Sequence, residues 1–304
     1  MTHFIETDAS PIPAGAEVDI FTPSDGTSLR CAFFPCDNAI ATIIVAPGFA
    51  EFIEKYFEVI DDLRARRFNV AMMDWRGQGL SPAPDHWNGY FDLLTQDLKE
   101  FRDGPVTDRF PEPCYLLTHS MGGLPALILL ASGDVGFQRA ALCAPATQLF
   151  PAPQNAVLGI VGKALMAMGW SDKLANPSKD ARQFDGNMFT TDRVRHERFR
   201  SLQDAEPRAM LLSPTYGWVH DAMRASNTIH AENFFDALKT PVRIISAGDE
   251  RRIHGPDHAV IASKNTLIDH VTVDGALHEI MMERDELRIV FWHKVDEFFS
   301  PGST

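Results

Sequence analysis

The chain has 304 residues, of which 45% are hydrophobic and 23% charged, the balance of an ordinary soluble protein with a sizeable core. Twenty-eight Lys and Arg stand against 41 Asp and Glu, a formal charge of −13 that argues against nucleic acid, whose binders need a basic face. Cys31, Cys36, Cys114 and Cys143 have neither Cys-x-x-Cys nor metal-type spacing. No apolar run reaches the roughly 18 residues of a membrane span, and the N-terminus lacks the pattern of a signal peptide. A reduced, cytoplasmic setting is expected.

In chain order, "EVDIF" and "LRCAFF" read as strands around a turn at Asp25-Gly26. "ATIIVAP" (Ala41–Pro47) is a β-branched run suited to a strand buried on both faces. Glu51–Arg67 follows with Phe52, Tyr56, Val59, Ile60 and Leu63 on one helical face. "NVAMMDW" reads as a strand, "YFDLLTQDLKEFRD" as an amphipathic helix, "CYLLTHS" as a strand, "LPALILLAS" as a helix and "AALCAP" as a strand. From residue 146 to 237 the pattern turns helical or irregular. It then resumes with "VRIISAG", the helix-like "GPDHAVIASKN", "TLIDHVTVD" and the closing helix "ERDELRIVFWHKVDEFF". Alternating strands and helices predict an α/β fold with a mostly parallel eight-stranded sheet and helices on both faces. Residues 1–145 and 238–304 are expected to form the core, with 146–237 a helical cap inserted after the sixth strand.

The strand "CYLLTHS" ends on Ser120 and falls onto Gly122 and Gly123. That is the pattern of a nucleophile elbow, in which a serine is exposed on a sharp, strained turn between strand and helix. Gly122 matches the second glycine of G-x-S-x-G, and Thr118 replaces the first. Serine at its free pKa is a weak nucleophile and needs an imidazole base oriented by a carboxylate. Of the eleven histidines, His278 lies in the loop after the last strand, where a base belongs. His270 falls inside that strand, and His254 and His258 precede it. The acid is expected after "VRIIS", where Asp249 and Glu250 both stand. The oxyanion donors expected are the N–H groups of Met121, next after the serine, and Phe49, just after Gly48.

These segments together resemble the α/β-hydrolases, and more narrowly the bacterial lysophospholipase and monoacylglycerol lipase group. The likeness rests on "PGFAEFIEKY", "DWRGQGLS", "THSMGG" and "GALHEIMMERDE" and runs from about residue 15 to the C-terminus. The chain departs from the group's usual His-Gly at Pro47-Gly48 and from its usual Gly-His-Ser at Thr118–Ser120. Related sequences carry the acid as G-x-x-D-x-x-V. With Ile253 in the last slot, that register favours Glu250 over Asp249. The segments "NMFTTDRVRHERF" and "SPTYGWVHDAMRAS" resemble the cap of the lysophospholipase branch.

The resemblance implies a serine carboxylic-ester hydrolase acting on small esters or monoacyl lipids through an acyl-enzyme, with no metal or organic cofactor. Amides, lactones and a non-catalytic binding role on the same scaffold are the alternatives. In the cap, "AVLGIVGKALMAMGW" (Ala156–Trp170) is expected to pack inward, its rival roles being an acyl groove or a transient contact with a membrane surface, which would make the protein peripheral to the inner membrane. Trp218 is placed between cap core and substrate-binding wall. The partial Gly-x-Gly of "DWRGQGLS" reads as a structural loop.

Overall fold

The computed structural model describes residues 2–175 and 182–300. Eight strands form one sheet: β1 (Glu17–Phe21), β2 (Leu29–Phe34), β3 (Ala41–Ala46), β4 (Phe68–Met73), β5 (Cys114–His119), β6 (Ala140–Cys143), β7 (Val242–Ala247) and β8 (Ile268–Val273). Their order is β1-β2-β4-β3-β5-β6-β7-β8. β2 runs antiparallel to β1 and β4, and every other pair is parallel. Each strand lies close to where the apolar runs placed it.

The main helices are α1 (Phe57–Ala65), α2 (Tyr90–Phe101), α3 (Gly123–Ala131), α4 (Ala152–Ala167), α5 (Arg193–Ala205), α6 (Tyr216–Ile229), α7 (Asp257–Ala262) and α8 (Asp285–Phe299). Successive strand residues face opposite ways, so the central strands feed two cores. Ile44, Ala46, Cys114 and Leu116 join α2 and α3 on one face. Ile43, Val45, Tyr115 and Leu117 join α1 and α8 on the other. This is why "ATIIVA" and "CYLLTH" are apolar throughout rather than alternating.

Register puts the loops that matter at one edge. Ala46 of β3 pairs with Thr118 of β5, His119 with Cys143 of β6, and Ala247 of β7 with Val273 of β8. The loops after β3, β5, β7 and β8 therefore all leave from the carboxyl edge, where open α/β sheets place their ligands. From β3 the chain passes to β4 on one side and then to β5 on the other.

Two expectations are corrected. The single helix over Glu51–Arg67 is a tight turn, Ile53–Tyr56, followed by α1. Glu51, Glu54 and Lys55 there are buried, and the Asp74 carboxylate takes the Ile53 N–H at 3.0 Å, so the turn is pinned inside rather than lying on the surface. Between β6 and β7, Trp218, Ala222, Ala225 and Ile229 of α6 belong to the core cluster of α2 and α3. Helix α4, expected to pack inward, is largely exposed, with Val157 60% and Ile160 73% accessible. It packs on α6 along one side, where Gly162 meets His220.

The turn after β5 is pressed against the end of β3. A Cβ on Gly122 would lie 2.6 Å from the Ala46 carbonyl oxygen and 2.7 Å from that of Pro47. Backbone cannot yield there as a flexible side chain would. Gly122→Ala is predicted to destabilise the protein by about 1–3 kcal/mol, read as a lower unfolding midpoint in denaturant.

Candidate active site

Ser120 follows β5 with a φ of 47°, in the left-handed region that a residue with a side chain rarely adopts. A three-residue 3-10 turn, Ser120–Gly122, then runs into α3. The Ala146 N–H donates to the Ser120 carbonyl at 2.8 Å and holds the turn from the loop after β6.

His278 sits beyond β8 and is 2% exposed. Its Nε2 lies 2.7 Å from Ser120 Oγ, and its Nδ1 lies 2.7 Å from Glu250 Oε2. A carboxylate facing Nδ1 fixes the proton there and leaves Nε2 to accept from the serine hydroxyl. Of the two acids the sequence left open, Glu250 is the one brought to the imidazole. Its second oxygen accepts the Arg252 N–H at 2.7 Å. Asp249 is exposed, and among the described residues its hydrogen bond is a backbone one, its N–H donating to the Ala276 carbonyl at 2.9 Å.

Burial pushes the His278 imidazole below the ordinary histidine value. Glu250 pulls it up, and the charge of His119 adds to the push. Burial acts to raise the Glu250 carboxyl, but the bond to His278 and the N–H groups of Arg252 and Ile253 hold it below the usual range. The histidines rejected on sequence order serve elsewhere. His258 Nδ1 and His270 Nε2 both meet the Ser246 hydroxyl, at 2.6 and 2.7 Å, tying β7, β8 and α7 together.

The loop Pro47–Glu51 arches beside the serine. Its Ala50 has a φ of 61° and donates its N–H to Gln78 Oε1 at 2.6 Å. Gln78 also reaches the Met121 sulfur at 3.2 Å, and Trp75 Nε1 donates to the Pro47 carbonyl at 2.8 Å. "DWRGQGLS" is thus a brace for the loop that carries Phe49. The Phe49 N–H makes no hydrogen bond among the described residues. Trp218 stands behind this loop: its ring is 4.7 Å from Phe49 and 5.6 Å from Phe91, and it is not in the cavity wall.

A cavity of about 150 Å³ opens over Ser120 and His278. Phe189, Phe199, Leu211 and Leu212 give it apolar walls, while Arg200 and Arg252 bring positive charge. Arg200 is held by Gln203 at 2.7 Å. The Arg252 guanidinium lies 5.7 Å from the Phe189 ring centre and has no ion pair among the described residues.

Sequence reasoning missed a buried charged group beneath this cavity. Glu51 Oε2 faces the Gly48 N–H at 2.5 Å, the Tyr56 hydroxyl at 2.6 Å and His119 Nδ1 at 3.0 Å. Lys55 Nζ bridges Glu51 Oε1 and Glu279 Oε1, both at 2.6 Å. Its signal was the run of charges at 51, 54 and 55 inside an apolar stretch.

Residues 37–285 match the family model described as serine aminopeptidase, S33. The chain belongs to that family of α/β-hydrolases. It is 28% identical to lysophospholipase L2 of Escherichia coli strain K12, over 92% of this chain and 86% of that one. Against the probable lysophospholipase L2 of Haemophilus influenzae it is 24% identical, over 86% and 84%. In fold it is similar to a monoglyceride lipase from Saccharomyces cerevisiae, solved as a soluble variant with a substrate analog. The TM-score is 0.73 at 18% identity, with 97% of both chains covered.

The geometry separates the two acids. Glu250→Gln removes the charge that raises the His278 pKa, so the His278 titration followed by NMR is expected to move to lower pH. Asp249→Asn is expected to leave it in place.

Proposed function

We propose that this hydrolase cleaves carboxylic esters of monoacyl lipids, with lysophospholipids as the favoured class. The observation that carries the reading is the hydrogen-bonded series Ser120–His278–Glu250 at the carboxyl edge of the sheet, buried under a cavity with apolar walls. Ser120 Oγ attacks the ester carbonyl as His278 Nε2 takes its proton. Glu250 keeps the other imidazole proton on Nδ1 and stabilises the imidazolium that forms. The Phe49 and Met121 N–H groups receive the oxyanion. His278 then protonates the leaving alcohol, and water admitted to the acyl-enzyme is deprotonated by the same nitrogen, returning Ser120 and releasing the fatty acid.

Two features favour a lipid with an anionic head. The carboxylates nearest the cavity, Glu51 and Glu279, are both engaged by Lys55, which leaves them poorly suited to a substrate ammonium. Arg252 at the wall feels the Glu250 carboxylate but forms no close ion pair among the described residues, and it suits a phosphate. The exposed apolar side of α4, with Val157, Ile160 and Val161 beside Lys163, suits contact with a lipid surface. No helix of the described residues is long and apolar enough to cross a membrane. Residues 146–175 and 182–237 serve on this reading as the cap through which substrate enters.

Ser120→Ala is expected to lower hydrolysis of p-nitrophenyl esters by about 10⁴-fold or more with the far-UV spectrum unchanged. Retained turnover in the folded variant contradicts the assignment. On a panel of lysophospholipids, monoacylglycerols and amides of matched chain length, Arg252→Gln is expected to weaken only the lysophospholipids, by roughly tenfold in kcat/KM. Preference for amides contradicts the substrate class.

A further inference from the structure

His119, the residue before the proposed nucleophile, is buried against two groups that only accept hydrogen bonds from it. Its Nδ1 lies 3.0 Å from Glu51 Oε2, and its Nε2 lies 3.2 Å from the carbonyl oxygen of His278. A peptide carbonyl has no proton to give. Glu51 already faces the Gly48 N–H, the Tyr56 hydroxyl and the Lys55 ammonium, a set of donors suited to an ionised carboxylate. A neutral imidazole has one N–H and one lone pair, so one of its two contacts would be lone pair against lone pair.

We propose that His119 is held as an imidazolium, a cationic positioning residue that joins the oxyanion loop to the backbone of the base His278. This rests on the triad reading above. Glu51 takes the Gly48 N–H and so fixes the peptide that precedes Phe49. His119 carries that tie across to the His278 carbonyl, and Lys55 repeats it by holding Glu279, the next residue. Gly48 is required for the arrangement: a Cβ there would lie 2.7 Å from Glu51 Oε2 and 2.9 Å from His119 Nδ1.

The groups facing His119 agree with a second proton. From the turn after β3 come Glu51, Lys55 and Tyr56, and from the loop after β8 come His278 and Glu279. On β6, Cys143 is its register partner, and burial pushes that thiol well above its ordinary value, leaving it neutral. Burial opposes the charge on His119, and Lys55 opposes it too, but Glu51 outweighs both and the pKa lies above the ordinary histidine value. Glu51 in turn is held well below the carboxylate range, against burial, by His119 and Lys55.

The second consequence is electrostatic. The rings of His119 and His278 are 5.1 Å apart. A fixed positive charge at that distance disfavours the protonated form of His278 and keeps the base available at lower pH. The sign follows directly: removing the charge raises the His278 pKa and moves the acid limb of kcat/KM toward neutrality.

The test is ¹⁵N NMR of the histidine-labelled full chain, with pH–rate profiles of the wild type, His119→Gln and Glu51→Gln. The wild type is expected to show both His119 nitrogens protonated at pH 7.5, well above the roughly 6.5 of an ordinary histidine. Glu51→Gln is expected to return one of them to the unprotonated shift. In His119→Gln the acid limb is expected to move up by roughly 0.5–1 unit, with kcat down by about 10- to 100-fold and Ser120 still labelled by a fluorophosphonate. A single protonated nitrogen on wild-type His119 at pH 7.5, or an unmoved acid limb, overturns the proposal. Loss of the triad reading would appear separately, as labelling absent from the wild type. If His119→Gln does not fold, the wild-type and Glu51→Gln spectra decide the question alone.

Discussion

Ser120 is held at a φ of 47°, a conformation that costs a side-chain-bearing residue of the order of 1–3 kcal/mol and persists only where its surroundings over-determine it. The surroundings here do so from three sides. Gly122 lets the turn close onto the carbonyls at the end of β3, and a Cβ on Gly123 would strike Pro145 at 2.5 Å. The loop after β6 donates an N–H to the serine carbonyl. The result is a hydroxyl lifted off the strand and aimed at the loop from β8. Every other element of the site is placed relative to that turn.

Around it, the protein buries several charged side chains, among them Arg30, Glu51, Glu54, Lys55 and Asp74. An isolated charge in the interior is costly, and a buried pair is tolerable only when its remaining hydrogen bonds are met. Two such groups flank the loop after β3. In one, Glu51, Lys55, Glu279 and His119 share their bonds. In the other, the Arg30 guanidinium is shared by Glu54 and Asp74, while Asp74 also takes the N–H groups of Ile53 and Leu80. Both groups run through "EFIEKY", the short stretch between Ala50 and α1. The charges therefore serve the same end as the glycines: they fix backbone next to the reacting atoms where apolar packing has no directional hold.

Much of this was legible in the sequence because it follows from strong local patterns. The sheet could be read from β-branched runs such as "ATIIVA", and Ser120 from a strand that stops on glycines. His278 followed from chain order, since only one histidine stands after the last strand and before the final helix. The family register leaned toward Glu250 over Asp249, but adjacent residues on a loop point in different directions, and it is tertiary structure that brings Glu250 to the imidazole. The buried cluster escaped for a related reason. Periodicity treats Glu51 and Lys55 as the solvated face of a helix, and nothing local tells a charge facing water from one facing another charge. The outward exposure of α4 was likewise not readable, since an apolar stripe does not say which surface covers it. Trp218 was left open between core and cavity wall, and its packing against Phe49 and Phe91 within the core is a matter of tertiary contacts.

On the proposed mechanism the Ser120 hydroxyl becomes the acyl carrier. The measurement that addresses it most directly is intact-protein and peptide mass spectrometry of the enzyme quenched in acid during turnover of a slow lysophospholipid or p-nitrophenyl ester. The expected result is a single acyl adduct, located on the peptide that contains Ser120, absent from Ser120→Ala and accumulating when His278 is replaced by a neutral residue only at the much slower rate of an unassisted serine. An adduct on another residue, or steady turnover with no acyl-enzyme at any quench time and no burst of product, would contradict it.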